Sequence, residues 1–267
     1  MSFSAAWLEL RELHDRRARN ASVIKTVTAT LTGLPSATIV DLACGTGSTF
    51  RALRPLLVDR QNWRLVDNDL SLLARAPQSS LPDTNVTAVP TDLNRDLEAV
   101  LDGPVDLITT SALLDLVSDD WLQRLVVETA ARRLPVYAAL SYDGRIEMTP
   151  ADNADQKIVA AVNAHQRTDK GFGLALGPDA ASQAIQRFER VDYTVVQGPS
   201  DWVFAPTDRE IQVEVLSGWA AAARDTGEVP LSDIIAWLKR RRELVTAGRS
   251  SIRVGHVDFF ARPTATR

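Results

Sequence analysis

The residues best placed by type and spacing to do chemistry are Asp41, Cys44, Gly45 and Gly47, all within Val40-Asp41-Leu42-Ala43-Cys44-Gly45-Thr46-Gly47-Ser48. An apolar run there breaks into a glycine turn, and a helical stretch, Phe50-Arg51-Ala52-Leu53, follows. Glycine carries no side chain, so a ligand can lie against bare backbone at such a turn. Asp67 closes the next candidate strand, Trp63–Asp67, twenty residues after Gly47. A carboxylate at that spacing suits a ribose diol, because it accepts from two hydroxyl donors. Asp92, in Thr91-Asp92-Leu93 after a third apolar run, is a further acceptor.

The ligand class follows from what surrounds the turn. The dinucleotide frame G-x-G-x-x-G needs a small sixth residue. Here it reads Gly45-Thr46-Gly47-Ser48-Thr49-Phe50, and Phe50 disfavours a nicotinamide or flavin ligand. No Gly-Lys-Ser/Thr completes a phosphate loop. The whole of Asp41-x-x-Cys44-Gly45-x-Gly47 resembles motif I of the class I S-adenosylmethionine-dependent methyltransferases. Leu65-Val66-Asp67-Asn68-Asp69 is similar to that family's acidic end of strand two, Thr91-Asp92-Leu93 to its adenine loop, and Pro104–Ser111 to its fourth strand. The four pieces occur in order over about residues 38–141.

The resemblance implies S-adenosyl-L-methionine as cofactor and methyl transfer as activity. It implies cofactor contacts from Asp41, Ala43, Cys44, Gly45, Gly47, Asp67, Asn68, Asp92, Leu93 and Ser111. Asp67 would hold the ribose, Asp92 the exocyclic amine of adenine and Leu93 the ring. An N-terminal helix often covers the cofactor in this family. Arg16 or Arg19 would then reach the methionine carboxylate, a surface position being the alternative for each. Asp69 reads better as a helix N-cap than as a ligand contact.

The methyl is expected near the ends of strands four and five, which places Ser111, Asp115 and Tyr142 within reach by topology. His165 is the first candidate for a general base, since histidine titrates near neutral pH and this one sits in the polar cluster Gln166-Arg167-Thr168-Asp169-Lys170. The alternative is a helix-end histidine packed beside Ile158 and Val162. Arg167 and Lys170 could bind an anionic substrate or be solvated. The end of strand four, Thr109-Thr110-Ser111-Ala112, lacks the Asn/Asp-Pro-Pro-aromatic motif of amino-nucleobase enzymes, and Cys44 lacks a Pro-Cys setting. A small-molecule acceptor methylated on O, N or C leads. The competing readings are a non-catalytic S-adenosylmethionine-binding partner or sensor, a nicotinamide-dependent oxidoreductase and an RNA-directed enzyme.

These residues need a scaffold. Strand signals at Thr38–Leu42, Trp63–Asp67, Val86–Val89, Val105–Thr110 and Pro135–Ser141 alternate with helical stretches, and the strands are apolar on both faces. The expected class is α/β: a doubly wound, mostly parallel seven-stranded sheet with an antiparallel C-terminal edge strand and helical cap insertions. Residues 1–36 are read as an N-terminal helical cover, 37–150 as the cofactor-binding core, and 151–267 as the rest of the same domain with the cap and the last two strands. Composition agrees: 267 residues, 45% hydrophobic, 24% charged, net charge −4. No nucleic-acid footprint, membrane-spanning run, Cys/His metal cluster or signal-peptide core is read, and one cysteine suits a cytoplasmic setting. The basic run 239–242 reads as a solvated helix face. A homodimer is left open.

Overall fold

A computed structural model describes residues 3–77 and 82–264. Two helices open the chain, α1 (Ala5–Ala18) and α2 (Ala21–Leu31), each with a polar N-cap: Ser4 accepts from the Trp7 amide, and Asn20 from those of Ser22 and Val23. The alternating part follows: β1 (Ala37–Leu42), α3 (Ser48–Leu53), β2 (Gln61–Asp67), α4 (Leu70–Leu73), β3 (Thr84–Pro90), α5 (Leu97–Val100), β4 (Leu107–Ser111), α6 (Asp119–Ala131) and β5 (Val136–Thr149). The remainder is α7 (Asp155–Gln166), α8 (Ala180–Arg190), β6 (Tyr193–Pro199), β7 (Trp202–Phe204), α9 (Arg209–Thr226), α10 (Leu231–Thr246) and β8 (Ser251–Pro263).

The strands form one sheet in the order β3-β2-β1-β4-β5-β8-β6, with β7 also on β8. Strands β1 to β5 pair in parallel, and β8 runs antiparallel to its neighbours. The expected seven strands are all present. The three-residue β7 adds an eighth, and β6 lies outside β8, so the reversed C-terminal strand sits one place in from the edge. Strand β5 runs on to Thr149, past the expected end at Ser141, because β8 pairs with it as far as Ser251 through two register shifts.

Both faces of the sheet are buried, as the continuous apolar strands require. Val40, Leu42, Val66 and Ile108 face α5, α6 and α8, whereas Ile39, Trp63, Leu65 and Leu107 face α2, α3 and α4. Helices α7, α9 and α10 build a third cluster against the far half of β5, β7 and the start of β8. Arg241 of the basic run departs from the solvated reading. It is fully buried, pairs with Asp155 and donates to the Pro150 carbonyl at 2.7 Å, while Arg240 pairs with Asp152 at 2.6 Å. No helix among the described residues is long and apolar enough to cross a membrane.

Candidate functional site

A pocket opens where β1, β2, β3 and β4 end, the place where ligands bind in open α/β sheets. After β1 the chain turns through Ala43 and Gly45, both left-handed (φ 53° and 55°). The Cys44 amide donates to the Val66 carbonyl at 2.9 Å, and the Gly45 amide to Asp67 Oδ2 at 2.8 Å. Asp67 is thus fixed by the turn it faces. Its other oxygen accepts from the Asp69 amide at 2.9 Å, and each oxygen keeps a lone pair for a further donor. Asp69 itself caps α4 through the Ser71 and Leu72 amides.

Helix α1 closes the pocket from above. Leu8 Cδ1 lies 3.1 Å from where a Cβ on Gly45 would be, so the cover packs tightly on the bare backbone of the turn. Glu12 grips Arg51 through two 2.6 Å bonds, and Arg51 donates to the Thr46 carbonyl, which ties the cover to the glycine turn. Arg11 and Asp15, one helical turn apart and 2.8 Å from each other, point inward, and Asp15 accepts from the Trp202 indole at 2.9 Å. Arg19 continues that face. It is buried and donates to Thr49 Oγ1 (3.2 Å), Ser111 Oγ (3.4 Å) and Tyr137 OH (3.3 Å).

Ala43, Cys44, Gly45, Asp67, Asn68, Asp92, Leu93 and Ser111 line the pocket. Asp92 is braced by the Asn94 amide at 2.9 Å, and the Leu93 carbonyl holds the Trp121 indole at 2.8 Å. Three expected contacts lie elsewhere. Gly47 is absent from the lining: its φ of 83° starts α3, and a Cβ there would meet Pro77 at 2.9 Å, so its smallness serves packing. Arg16 is exposed, because the inward face of α1 carries Arg11 and Asp15 and then Arg19 at the C-cap. Asp41 is fully buried beneath the turn, where Oδ1 accepts from Thr109 Oγ1 at 2.7 Å and Oδ2 has no protein partner.

Burial raises the Asp41 carboxyl from an ordinary 3.8 to about 7, opposed by the Thr109 bond and the charge of Arg19. A carboxyl whose pKa rises on folding holds its proton more tightly in the native state. Its contribution to stability is therefore complete below about pH 4 and is lost as pH climbs through 7. Asp41→Asn is expected to become more stable relative to wild type between pH 4 and 8, by on the order of a few kcal/mol. Thermal melts across that range check this; a difference that does not change with pH would show that Asp41 keeps its charge.

None of the three expected acid–base groups lines the pocket. Asp115 is buried behind it, with burial raising its pKa to about 6 and Oδ1 left without a partner. The Tyr142 hydroxyl donates to Asn163 Oδ1 at 2.7 Å, and burial raises its pKa well above the ordinary range. His165, half-buried on α7, stands one residue back: Lys170 is on the lining and its Nζ lies 3.3 Å from His165 Nδ1. Arg167 turns outward to Asp179 at 2.6 Å. Leu8, Arg11, Asp15 and Phe172 are lining residues that sequence reading passed over. The signal for Arg11 and Asp15 was their i, i+4 spacing of opposite charges on an otherwise apolar helix face.

No protein-family model matches the chain, and no curated protein matches it in sequence. Solved structures do. A cyclopropane-fatty-acyl-phospholipid synthase-like protein from Lactobacillus casei superposes with a TM-score of 0.53 at 15% identity, over 97% of this chain and 94% of the other. The YcgJ protein from Bacillus subtilis superposes with a TM-score of 0.50 at 11% identity, over 92% of this chain and all of the other. The fold is that of the class I S-adenosylmethionine-dependent methyltransferases. In this methyltransferase fold the sheet keeps the doubly wound order 3-2-1-4-5-6 and slots a reversed strand, here β8, between the fifth and sixth.

Proposed function

We propose that the chain binds S-adenosylmethionine and methylates a small-molecule acceptor on O, N or C. The observation that carries this reading is convergence. Four strand ends, far apart in sequence, turn the 43–46 backbone, Asp67, Asp92–Leu93 and Ser111 toward one pocket. The donor and acceptor types fit the cofactor. Asp67 would accept from the ribose hydroxyls and Asp92 from the adenine amine, while Thr49 and Ser111, whose oxygens accept from buried Arg19 behind the lining, would donate to the methionine carboxylate. When bound, the cofactor supplies an electrophilic methyl on sulfur, so the protein's part is to hold, orient and exclude water. The cover α1 and the loop 170–172 do the last of these.

The nicotinamide reading loses support at Phe50. That side chain is buried edge-on against Trp63, with centroids 5.1 Å apart, where a dinucleotide fold has a small residue for close helix–strand packing. Calorimetry separates the readings. S-adenosylhomocysteine is expected to give a saturating isotherm and NAD none, and labelled methyl from the cofactor should enter a small-molecule fraction of cell extract. NAD binding without thioether binding would reverse the assignment. Thioether binding without any transfer would leave a sensor.

A further inference from the structure

Arg11 carries a charge into the pocket that its protein partners use only in part. The residue is 9% exposed and lines the pocket, and its guanidinium lies 5.2 Å over the Trp202 ring. Its Nε donates to Asp15 Oδ2 at 2.8 Å, while neither Nη makes a hydrogen bond among the described residues. We propose that this open fork binds a carboxylate of the methyl acceptor, so that the acceptor is a small organic acid. This deepens the methyl-transfer reading above and rests on it.

Position along the sheet separates Arg11 from the groups given to the cofactor. The lining follows strand order: Asp92 comes after β3, Asp67 ends β2, the 43–46 turn follows β1, and Ser111 ends β4. Arg11 leans instead on Trp202 of β7, which pairs with β8 on the far side of β5. Adenosine would take the first two stations and methionine the next two, with its carboxylate at Thr49 and Ser111. Those hydroxyls belong to Arg19, about 12 Å further along the axis of α1 than Arg11. The other buried cation of the lining, Lys170, comes from the loop fastened to the adenine side, where Asn94 Nδ2 donates to the Gly171 carbonyl at 3.2 Å.

The chemistry of the fork names the acceptor class. A guanidinium is a planar fork of N–H donors, of which only Nε is spent on Asp15. Water can serve the others in an open pocket. A ligand that displaces that water must offer acceptors in its place, because buried donors without partners are costly. A carboxylate presents two oxygens that match the two Nη groups, whereas an ammonium would be repelled. Asp15 does not compete for the fork: Oδ2 is taken by Nε, and Oδ1 by the Trp202 indole at 2.9 Å. The other titratable groups that feel Arg11 are His256, which burial and then the Arg11 charge keep neutral, and Asp115, which lies behind the lining. A phosphate also matches the fork, but Asp15, Asp67, Asp69 and Asp92 share the lining, and one negative charge meets that field at lower cost than two.

The probes are benzoate, hexanoate and indole-3-acetate, each paired with its neutral amide and titrated by calorimetry into protein saturated with S-adenosylhomocysteine. In the wild type at least one acid should bind about tenfold or more tighter than its amide. Arg11→Met and Arg11→Gln should bring that ratio to about one, and Arg11→Lys should keep only part of it, since a point charge lacks the fork. Three results would overturn the proposal: no acid preferred to its amide in the wild type, a preference that survives Arg11→Met, or phenyl phosphate bound more tightly than benzoate. The wild-type comparisons hold even where a variant fails to fold. 5′-Methylthioadenosine, which lacks the amino-acid tail, identifies the source of the carboxylate. S-adenosylhomocysteine affinity should stay within about threefold of wild type in every Arg11 variant. A loss of about tenfold or more with methylthioadenosine unaffected would give Arg11 to the methionine and overturn the acceptor assignment. An equal loss of both would make Arg11 a brace for the cover and overturn it too. Failure of the wild type to bind S-adenosylhomocysteine would instead remove the cofactor reading, a result distinct from all of these.

Discussion

Asp67→Ala is expected to weaken S-adenosylhomocysteine binding by about 100-fold at least, and by up to about 10,000-fold. Two ribose hydroxyls would donate to this carboxylate. A hydrogen bond to a charged group contributes about 1.5–3 kcal/mol, and every 1.4 kcal/mol is about tenfold in affinity. The same substitution cuts the Gly45 amide loose from Oδ2, so the turn that would lie under the ligand loses its brace. Asp67→Asn separates the two effects. It keeps one acceptor oxygen and should fall between alanine and wild type, near the lower end of the range. Calorimetry on protein whose circular dichroism matches wild type checks both. Binding within about threefold of wild type for Asp67→Ala would falsify the ribose role, since Asp67 is the one acidic residue of β2 and the nearby Asp69 caps α4.

The parts of this site that the sequence made legible share a physical origin. Asp67, Asp92 and the turn at 43–45 lie at strand ends, where local chain chemistry (an apolar run, then a glycine or carboxylate) states both the conformation and the direction of the groups. What escaped reading depends on which face of an element packs. Along α1 the inward positions are Arg11 and Asp15, a salt bridge, so hydrophobic periodicity could not tell Arg16 from Arg19. His165 drew notice for its chemistry, yet whether a helix-end histidine reaches a pocket is decided by the loop that follows it. Here that loop brings Lys170 in front. Strand β7 and the long tail of β5 owe their existence to pairing with β8, which lies about fifty residues from β7 and about a hundred from the tail of β5 in the chain.

Asp258→Ala should destabilise the fold by about 3–5 kcal/mol, which is large against a typical total of about 5–15. The carboxylate is fully buried in the middle of β8. Oδ2 accepts from the Asn20 amide at 2.9 Å and from Tyr137 OH at 3.0 Å, and Oδ1 from the Leu140 amide at 2.8 Å. It therefore fastens three things: the junction of α1 with α2, the ring of β5 on which Arg19 leans, and the irregular turn of β5 where Leu140 adopts φ 54°. Alanine leaves buried donors without acceptors and removes a negative charge close to buried Arg19. Asparagine keeps the size but offers one acceptor and two donors, so it should cost less than alanine and still more than a surface change. Because Arg19 also holds Thr49 and Ser111 of the pocket, S-adenosylhomocysteine affinity should fall along with stability in both variants. A melting point lowered by about 6–20 °C for alanine is expected for a chain of this size. A melting point within about 2 °C of wild type would mean that water or a neighbour takes over the carboxylate's bonds.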